Sequence, residues 1–135
     1  MKPQTRRRAR RLALQAIYQW QFTNNPIAEI NEQFLQECNP KKVDIEYFSE
    51  LLKEVITNVA KLDEQIQQFS DRPLKDINSI ELAILRIAIY ELMFRLDIPY
   101  KVIINEALES AKAFGTIEGF KFINGILDKV AKQIR

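Results

Sequence analysis

Six cations and no carboxylate precede residue 29, and this imbalance is the chain's most distinctive chemical feature. The cations are Lys2, Arg6, Arg7, Arg8, Arg10 and Arg11. The five arginines fall in the predicted first turns of a helix, where each cation opposes the helix dipole at a cost of about 0.3 to 1 kcal/mol. Arginines three or four residues apart also repel one another. We therefore predict an anionic ligand, since backbone N–H groups and guanidinium groups at a helix start suit phosphate.

Two alternatives to an anion site remain open for this basic start. A solvated helix end that frays would tolerate the same cations without any ligand. A transit peptide or a twin-arginine export signal is also rich in arginine and poor in acids. An export signal needs an apolar stretch of about 7 to 15 residues, whereas the run from Leu12 to Ile17 is interrupted by Gln15. Because these apolar residues recur at helical spacing, we favour a helix of the folded domain.

Length and composition predict a single domain spanning residues 1–135. The chain is 47% apolar, which is enough for one hydrophobic core, and no stretch marks a linker. The first twenty residues hold six of the 20 Lys and Arg residues and none of the 18 Asp and Glu residues, so the remainder is net acidic. We expect attraction to a polyanion at one end of the molecule. No apolar run approaches the roughly 18 residues that cross a bilayer, so we expect no membrane partner.

Cysteine and histidine usage excludes several chemistries. Cys38 is the single cysteine and histidine is absent, so an internal disulfide, a zinc site and a histidine-based triad lack their residues. A lone thiol fits a reducing compartment, which predicts a cytoplasmic location. The sequence also lacks a glycine-rich phosphate loop and a base that would activate Cys38. We therefore predict a protein that is not an enzyme and that needs no cofactor.

Helical periodicity in nearly every segment predicts an all-α protein, a compact bundle of six to seven helices. The first helix, near residues 4–22, has a predicted core stripe of Ala9, Leu12, Ala13, Ala16, Ile17 and Trp20. At about 100° per residue, the opposite side carries Arg7, Arg11, Leu14 and Tyr18. An exposed Tyr18 beside arginines would let an unpaired RNA base stack on its ring while the arginines hold phosphates.

Capping residues divide the first half of the chain further. Asn25 followed by Pro26 predicts the cap and first position of a short second helix. That helix is predicted to end near Asn39. Asp44 predicts the N-cap of one long amphipathic helix, which closes at the turn formed by residues 71–73.

The second half has its own start and stop signals. Asn78, with an acid three residues later, predicts the cap of an almost wholly apolar helix that reaches about residue 96. Because such a helix is buried on all sides, we expect it at the centre of the fold. Pro99 separates it from the next helix, which is predicted to stop at Gly115, while Thr116 is predicted to cap the last helix.

The last helix carries a second surface of interest. Phe122 lies off the predicted core stripe, between Lys121 and Asn124. It either packs against another helix or forms a second stacking surface with an amide beside it. Gly119 and Gly125, which we place in the same helix, each cost about 1 kcal/mol relative to alanine. They would permit close approach by another helix or by a ligand.

Four blocks in the same order along the chain closely resemble the NusB family. They are residues 6–10 with 14–18 (RRRAR and LQAIY), 85–92 (LRIAIYEL), 99–107 (PYKVIINEA) and 121–128 (KFINGILD). The resemblance covers essentially the whole chain. It implies an all-helical fold of two perpendicular sub-bundles and a role in transcription antitermination during ribosomal RNA synthesis.

The family resemblance also implies partners. It implies a heterodimer with NusE, a small-subunit ribosomal protein, and binding of that pair to single-stranded boxA RNA in nascent transcripts. It further implies work within elongation complexes that contain RNA polymerase and other Nus factors. The module is also found fused to RNA cytosine methyltransferases in this family. We expect no cofactor-binding methyltransferase domain here, so that alternative would leave only a binding part.

Site residues follow by position from the same resemblance. The RNA-binding set is Lys2, Arg6, Arg7, Arg8, Arg10, Arg11, Tyr18, Lys121, Phe122 and Asn124. Glu81 and Glu106 would face NusE. The residues alone favour a different role for both acids, a solvated helix surface with some help to Glu81 from the helix dipole.

Two points stay open on the sequence. The segment Thr116–Phe120 has fewer acidic or serine residues than family members often have, which bears on the detail of RNA or partner contact. A function of another class also remains: a helical protein-interaction scaffold, or a ribosome-assembly adaptor, whose basic helix meets an acidic protein surface and binds RNA only incidentally. Sensitivity of partner capture to nuclease separates the two functions.

Overall fold

The computed structural model describes residues 3–115 and 118–135 and is built from helices. The seven α-helices of the described residues are α1 (Pro3–Thr23), α2 (Ile27–Glu37), α3 (Ile45–Thr57), α4 (Val59–Phe69), α5 (Ser79–Phe94), α6 (Tyr100–Ala113) and α7 (Phe120–Ile134). A short 3₁₀ turn spans Leu74–Asp76, and the described ranges contain no strand. The all-α prediction is confirmed.

The chain divides into two compact units, one ending at Thr57 and the other beginning at Asn58. In the first unit, α3 packs against both α1 and α2. The alanines at positions 9, 13 and 16 of α1 are fully buried, as are Phe48 and Leu51 of α3. Such small side chains let two helices approach closely, so the predicted core stripe of α1 is confirmed at these positions and at Ile17.

In the second unit, α5 is the central helix and contacts α4, α6 and α7. Nearly every residue from Glu81 to Leu92 is buried, which confirms the prediction made from its continuous apolar sequence. The buried guanidinium of Arg86 is satisfied by Asp63 of α4 through two hydrogen bonds of 2.9 and 3.0 Å. A buried charge of this kind is tolerated because it is paired and hydrogen-bonded.

Several predicted helix boundaries are confirmed by their hydrogen bonds. Asp44 Oδ1 accepts from the backbone N–H of Tyr47 at 3.1 Å. Asn78 Oδ1 accepts from the backbone N–H groups of Ile80 and Glu81 at 2.9 and 3.2 Å. Gly115 follows α6 with φ of +77°, the left-handed conformation that favours glycine.

Three boundary predictions were wrong. The single long helix after Asp44 is two helices, because the chain turns at Asn58, a residue that favours helix ends over helix interiors. Pro26 is the N-cap of α2, not its first helical residue. Gly119 is the N-cap of α7, so it lies outside that helix and takes the position predicted for Thr116, which is outside the described residues.

No helix among the described residues is both long enough and apolar enough to cross a membrane.

Candidate nucleic-acid and partner interface

The arginines of α1 occupy different environments. Arg7 and Arg8 are exposed, Arg6 and Arg11 are half-buried, and Arg10 is buried. The sequence predicts these cations as one group at the solvent-exposed end of a helix. Their graded burial means that Arg7 and Arg8 meet solvent most fully, whereas Arg10 belongs to the packed side of the helix. Lys2 lies outside the described residues.

Two of these arginines lie against the ring of Tyr47 in α3. The guanidinium carbon of Arg6 lies 4.3 Å from the centre of the Tyr47 ring, and that of Arg10 lies 5.5 Å from it. Arg6 also pairs with the buried Asp44 at 4.0 Å between Nε and Oδ2. Cation–π contacts contribute about 0.5 to 2 kcal/mol, so the fold offsets part of the repulsion in this cluster. Sequence reasoning identified Asp44 only as a cap and missed Tyr47 entirely.

The contacts with Tyr47 and Asp44 offset only part of the cost of clustering these arginines. The Nε atoms of Arg6 and Arg11 are buried and find no hydrogen-bond partner among the residues that the structure describes. Leaving a buried donor unpaired costs about 1 to 3 kcal/mol. Arg8 Nη1 donates a long hydrogen bond, 3.4 Å, to the backbone oxygen of Lys42. Cations therefore remain concentrated on this helix at a cost to folding.

Two aromatic rings lie further along α1. Tyr18 is 39% exposed and contacts Phe22 edge to face, with ring centres 5.0 Å apart, and Phe22 is 64% exposed. The predicted exposure of Tyr18 is confirmed. Leu14, which we placed on the same open face, is buried instead. Phe22 was missed, although its spacing of four residues from Tyr18 was visible in the sequence.

Phe122 of α7 is covered by an arginine from another part of its unit. The guanidinium carbon of Arg72 lies 4.1 Å from the centre of the Phe122 ring, and the ring is half-buried. Lys121 and Asn124 beside it are exposed. The sequence left open whether Phe122 packs against another helix or forms a second stacking surface, and the structure adds a contact with Arg72, which belongs to the segment after α4 and which the sequence did not predict. A Cβ added at Gly125 would meet nothing within 4 Å, so no described residue makes close use of that glycine.

Glu81 lies beneath Gly119 at one end of the second unit. A Cβ at Gly119 would overlap the Glu81 carboxylate, so glycine is what permits this approach. The two residues help to line an open cleft of about 460 Å³ formed by Asn78, Ile80, Glu81, Phe114, Gly115, Glu118 and Gly119. Glu81 is only 9% exposed. The expectation that it is a solvated surface residue was therefore wrong, and burial also overturns that expectation for Glu106 of α6.

Burial raises the pKa of Glu81 above the ordinary value of 4.5, because a charged carboxylate is poorly solvated there. The nearby cation of Arg72 opposes this and lowers the pKa, whereas Glu118 raises it further. The Glu81 carboxylate thus lies at the mouth of a cleft, where an added cation or N–H donor would stabilise its charged form.

Metal binding finds no support in the described residues, where no three acidic or thiol side chains are grouped to hold an ion. Cys38 is half-buried, and its Sγ lies 3.6 Å from the backbone oxygen of Leu35.

Comparison with known proteins identifies the family. A family model described as the NusB family matches residues 7–132. The chain belongs to the NusB family. Its relatives include proteins called "Transcription antitermination protein NusB" from Shewanella pealeana, 58% identical with 98% of each chain covered, and from Shewanella halifaxensis, 56% identical with 100% of each covered.

Solved NusB structures share the fold. NusB from T. maritima is 30% identical, with a TM-score of 0.83 over 97% of this chain and 92% of that one. A second structure, of NusB and NusE in complex with dsRNA, is 20% identical, with a TM-score of 0.86 over 98% and 99% of the two chains. The resemblance seen in the sequence is thereby confirmed for family and fold. The roles of individual residues in NusB-type binding stay predictions.

Proposed function

We propose that this NusB-family chain is a transcription antitermination factor that binds boxA RNA in nascent ribosomal RNA transcripts as a heterodimer with NusE. The observation that carries the proposal is the arginine-rich end of α1, where Arg7 and Arg8 are exposed, with Tyr18 exposed further along the same helix. The protein acts without catalysis, in the cytoplasm, within elongation complexes that contain RNA polymerase and other Nus factors. The names of its relatives support this role.

In this proposal the RNA-binding residues divide their work. Exposed Arg7 and Arg8 hold phosphates, with Lys2 and Arg11 adding to the positive field. Arg6 and Arg10 are fixed on the Tyr47 ring and orient the strand. Tyr18 stacks on an unpaired base, since phosphate contacts by themselves carry no sequence information. Lys121, Phe122 and Asn124 form a second patch on α7.

The NusE-binding residues are Glu81 and Glu106 in this proposal. A buried carboxylate at a cleft mouth recovers much of its lost solvation when a partner brings a cation or a backbone N–H group to it. Gly119 keeps the Glu81 carboxylate at that position, because any larger residue would displace it. Gly119→Ala is therefore expected to weaken NusE binding while leaving RNA contacts on α1 in place.

The main test is a titration of fluorescent boxA RNA with the protein, alone and with NusE, against a scrambled strand and a duplex of equal length. The duplex is included because the solved complex contains dsRNA. We expect tighter binding to single-stranded boxA RNA than to either control. Equal binding to all three, with and without NusE, would contradict the proposal.

Charge reversal at Arg7 and Arg8 tests the phosphate contacts. We expect weaker binding and a flatter salt dependence, by about 0.7 log unit for each lost contact with single-stranded RNA. Arg10 is unsuitable for this change because it is buried against Tyr47. Lys53→Glu, at an exposed position of α3, is the matched control. An unchanged slope in a folded Arg7→Glu, Arg8→Glu double variant would remove this helix end from the RNA site.

Tyr18→Ala tests stacking separately. If a base stacks on the ring, affinity falls by about 1 to 3 kcal/mol. Tyr100→Ala is the control, because Tyr100 is 41% exposed against 39% for Tyr18 and lies in the other unit. A loss that is no greater at Tyr18 than at Tyr100 would show that Tyr18 does not contact RNA.

The competing scaffold or ribosome-assembly function makes a different prediction for partner capture. The second unit has exposed apolar residues that favour contact with another protein, namely Phe94, Leu96, Tyr100 and Val102. Affinity capture with and without nuclease separates the functions. Retention of partners that do not include NusE after nuclease treatment, together with no preference for boxA RNA, would favour the scaffold.

A further inference from the structure

Arg72 lies in a segment whose backbone is fixed by local hydrogen bonds. Its backbone oxygen accepts from Ser70 Oγ at 2.7 Å and from Gln67 Nε2 at 3.2 Å, and its N–H donates to Ser70 Oγ at 3.1 Å. Pro73 follows and restricts the backbone of the residue before it. The side chain therefore projects from a rigid position, which lowers the entropy lost when it binds a ligand.

The guanidinium group of Arg72 is also oriented from two sides. One face lies on the Phe122 ring at 4.1 Å, and Nε donates to Asp71 Oδ1 at 3.0 Å. Its terminal nitrogens, Nη1 and Nη2, make no hydrogen bond to the described residues, and the side chain is 41% exposed. A planar group held in this way presents paired N–H donors suited to a phosphate.

We propose that Arg72 contacts the RNA strand directly, and that Phe122 acts as a positioning residue that holds the guanidinium group. This inference rests on the proposed RNA-binding function and changes the part that Phe122 plays in it. The Phe122 face under Arg72 is already covered, so a base cannot stack there while the two are in contact. The ligand that Arg72 takes is a ribonucleotide phosphate, with Lys121 adding charge nearby in the chain.

The variants Arg72→Gln and Arg72→Lys separate charge from planarity. Each is titrated with boxA RNA in the presence of saturating NusE, at several salt concentrations. Arg72→Gln is expected to lower affinity about tenfold to hundredfold and to flatten the salt dependence by about 0.7 log unit. Arg72→Lys keeps the charge, so it is expected to keep the salt dependence while losing part of the affinity. Lys132→Gln, another exposed cation of the same unit, is the control.

Phe122→Leu and the double variant with Arg72→Gln test the positioning role. If Phe122 works through Arg72, the double variant binds no more weakly than Arg72→Gln alone. Additive losses would overturn the proposal, because they would mean that the ring contacts RNA independently. Normal affinity and salt dependence in folded Arg72→Gln would also overturn it, while boxA binding by the unchanged protein would leave the proposed function standing. Failure of the unchanged protein to bind boxA RNA would overturn both.

Discussion

At the scale of single residues, identical side chains near one helix end have different surroundings. Arg6 and Arg10 lie on the Tyr47 ring, whereas Arg7 and Arg8 are exposed to solvent. A cation on an aromatic face keeps its charge while losing some of its mobility. The cost predicted for the whole cluster is thus partly offset by Tyr47. Substitutions in this helix must consequently be chosen by environment, since Arg10 variants would report on folding as well as on binding.

Glu81 leads to a pH-dependent prediction for stability. Burial raises its pKa in the folded protein above the ordinary value of 4.5, although Arg72 acts against the rise and Glu118 adds to it. The stability that this group contributes is present below the ordinary pKa and is lost as pH rises through the raised one. Glu81→Gln is therefore expected to be more stable than the unchanged protein near neutral pH and to lose that advantage in acid.

Urea unfolding of Glu81→Gln and of the unchanged protein, from acid to neutral pH, measures the difference in their stability. The exposed Glu64→Gln substitution in α4 is the matched control and should show no such trend. In contrast to its effect on stability, Glu81→Gln is expected to weaken NusE binding, because a neutral amide attracts a partner's cation less. A Glu81→Gln variant that is less stable than the unchanged protein at neutral pH would contradict this account.

At the scale of secondary structure, the C-terminal end of α5 is capped by a distant side chain. The guanidinium group of Arg135 donates to the backbone oxygens of Leu92, Ile98, Glu91 and Arg95, at 3.0, 2.9, 3.3 and 3.0 Å. The last carbonyl groups of a helix lack partners within it and carry partial negative charge. One cation thus satisfies several acceptors at the end of the central helix.

Removing this cap should destabilise the protein. Arg135→Ala is expected to lower the free energy of unfolding by about 2 kcal/mol, because hydrogen bonds to a charged group are among the stronger ones. Arg135→Lys is expected to recover only part of the loss, since an ammonium group lacks the planar fork. Chemical denaturation measures both, and Lys132→Ala, at a solvent-exposed position of α7, should change stability by less than about 0.5 kcal/mol. If Arg135→Ala lowers the free energy of unfolding by no more than the control does, these hydrogen bonds contribute little to stability.

At the scale of the whole molecule, the chain has two compact units, whereas the sequence predicted one domain over residues 1–135. Neither unit alone reaches 80 residues, and units of that size bury a limited core. We expect them to unfold together as one cooperative domain. Single-domain behaviour therefore stays a prediction that unfolding experiments can test.

Trp20 offers a direct probe of this prediction. It is the only tryptophan of the chain and lies in α1, so its fluorescence reports on the first unit, while far-UV circular dichroism reports on all helices. With one cooperative domain, the two signals should give the same urea midpoint. Separate midpoints would mean that the units unfold independently.

Local rules made much of this fold predictable from the sequence. The helical class, the buried alanines of α1 and the caps at Asp44 and Asn78 depend on residues within about one helical turn of each other. The exposure of Tyr18 followed from the same periodicity. The break at Asn58 escaped prediction, because neither glycine nor proline marks it and the apolar spacing continues through it.

The contacts that define the proposed site depended on the tertiary structure. Tyr47 beneath Arg6, Arg72 on Phe122 and Glu81 beneath Gly119 each join residues from separate helices or connecting segments. No local pattern encodes such pairs, because they form only when helix packing brings distant segments together. The sequence by itself thus determined which residue types were available for binding an anion. Only the folded chain decided which cations are covered, which are oriented and which carboxylate is buried.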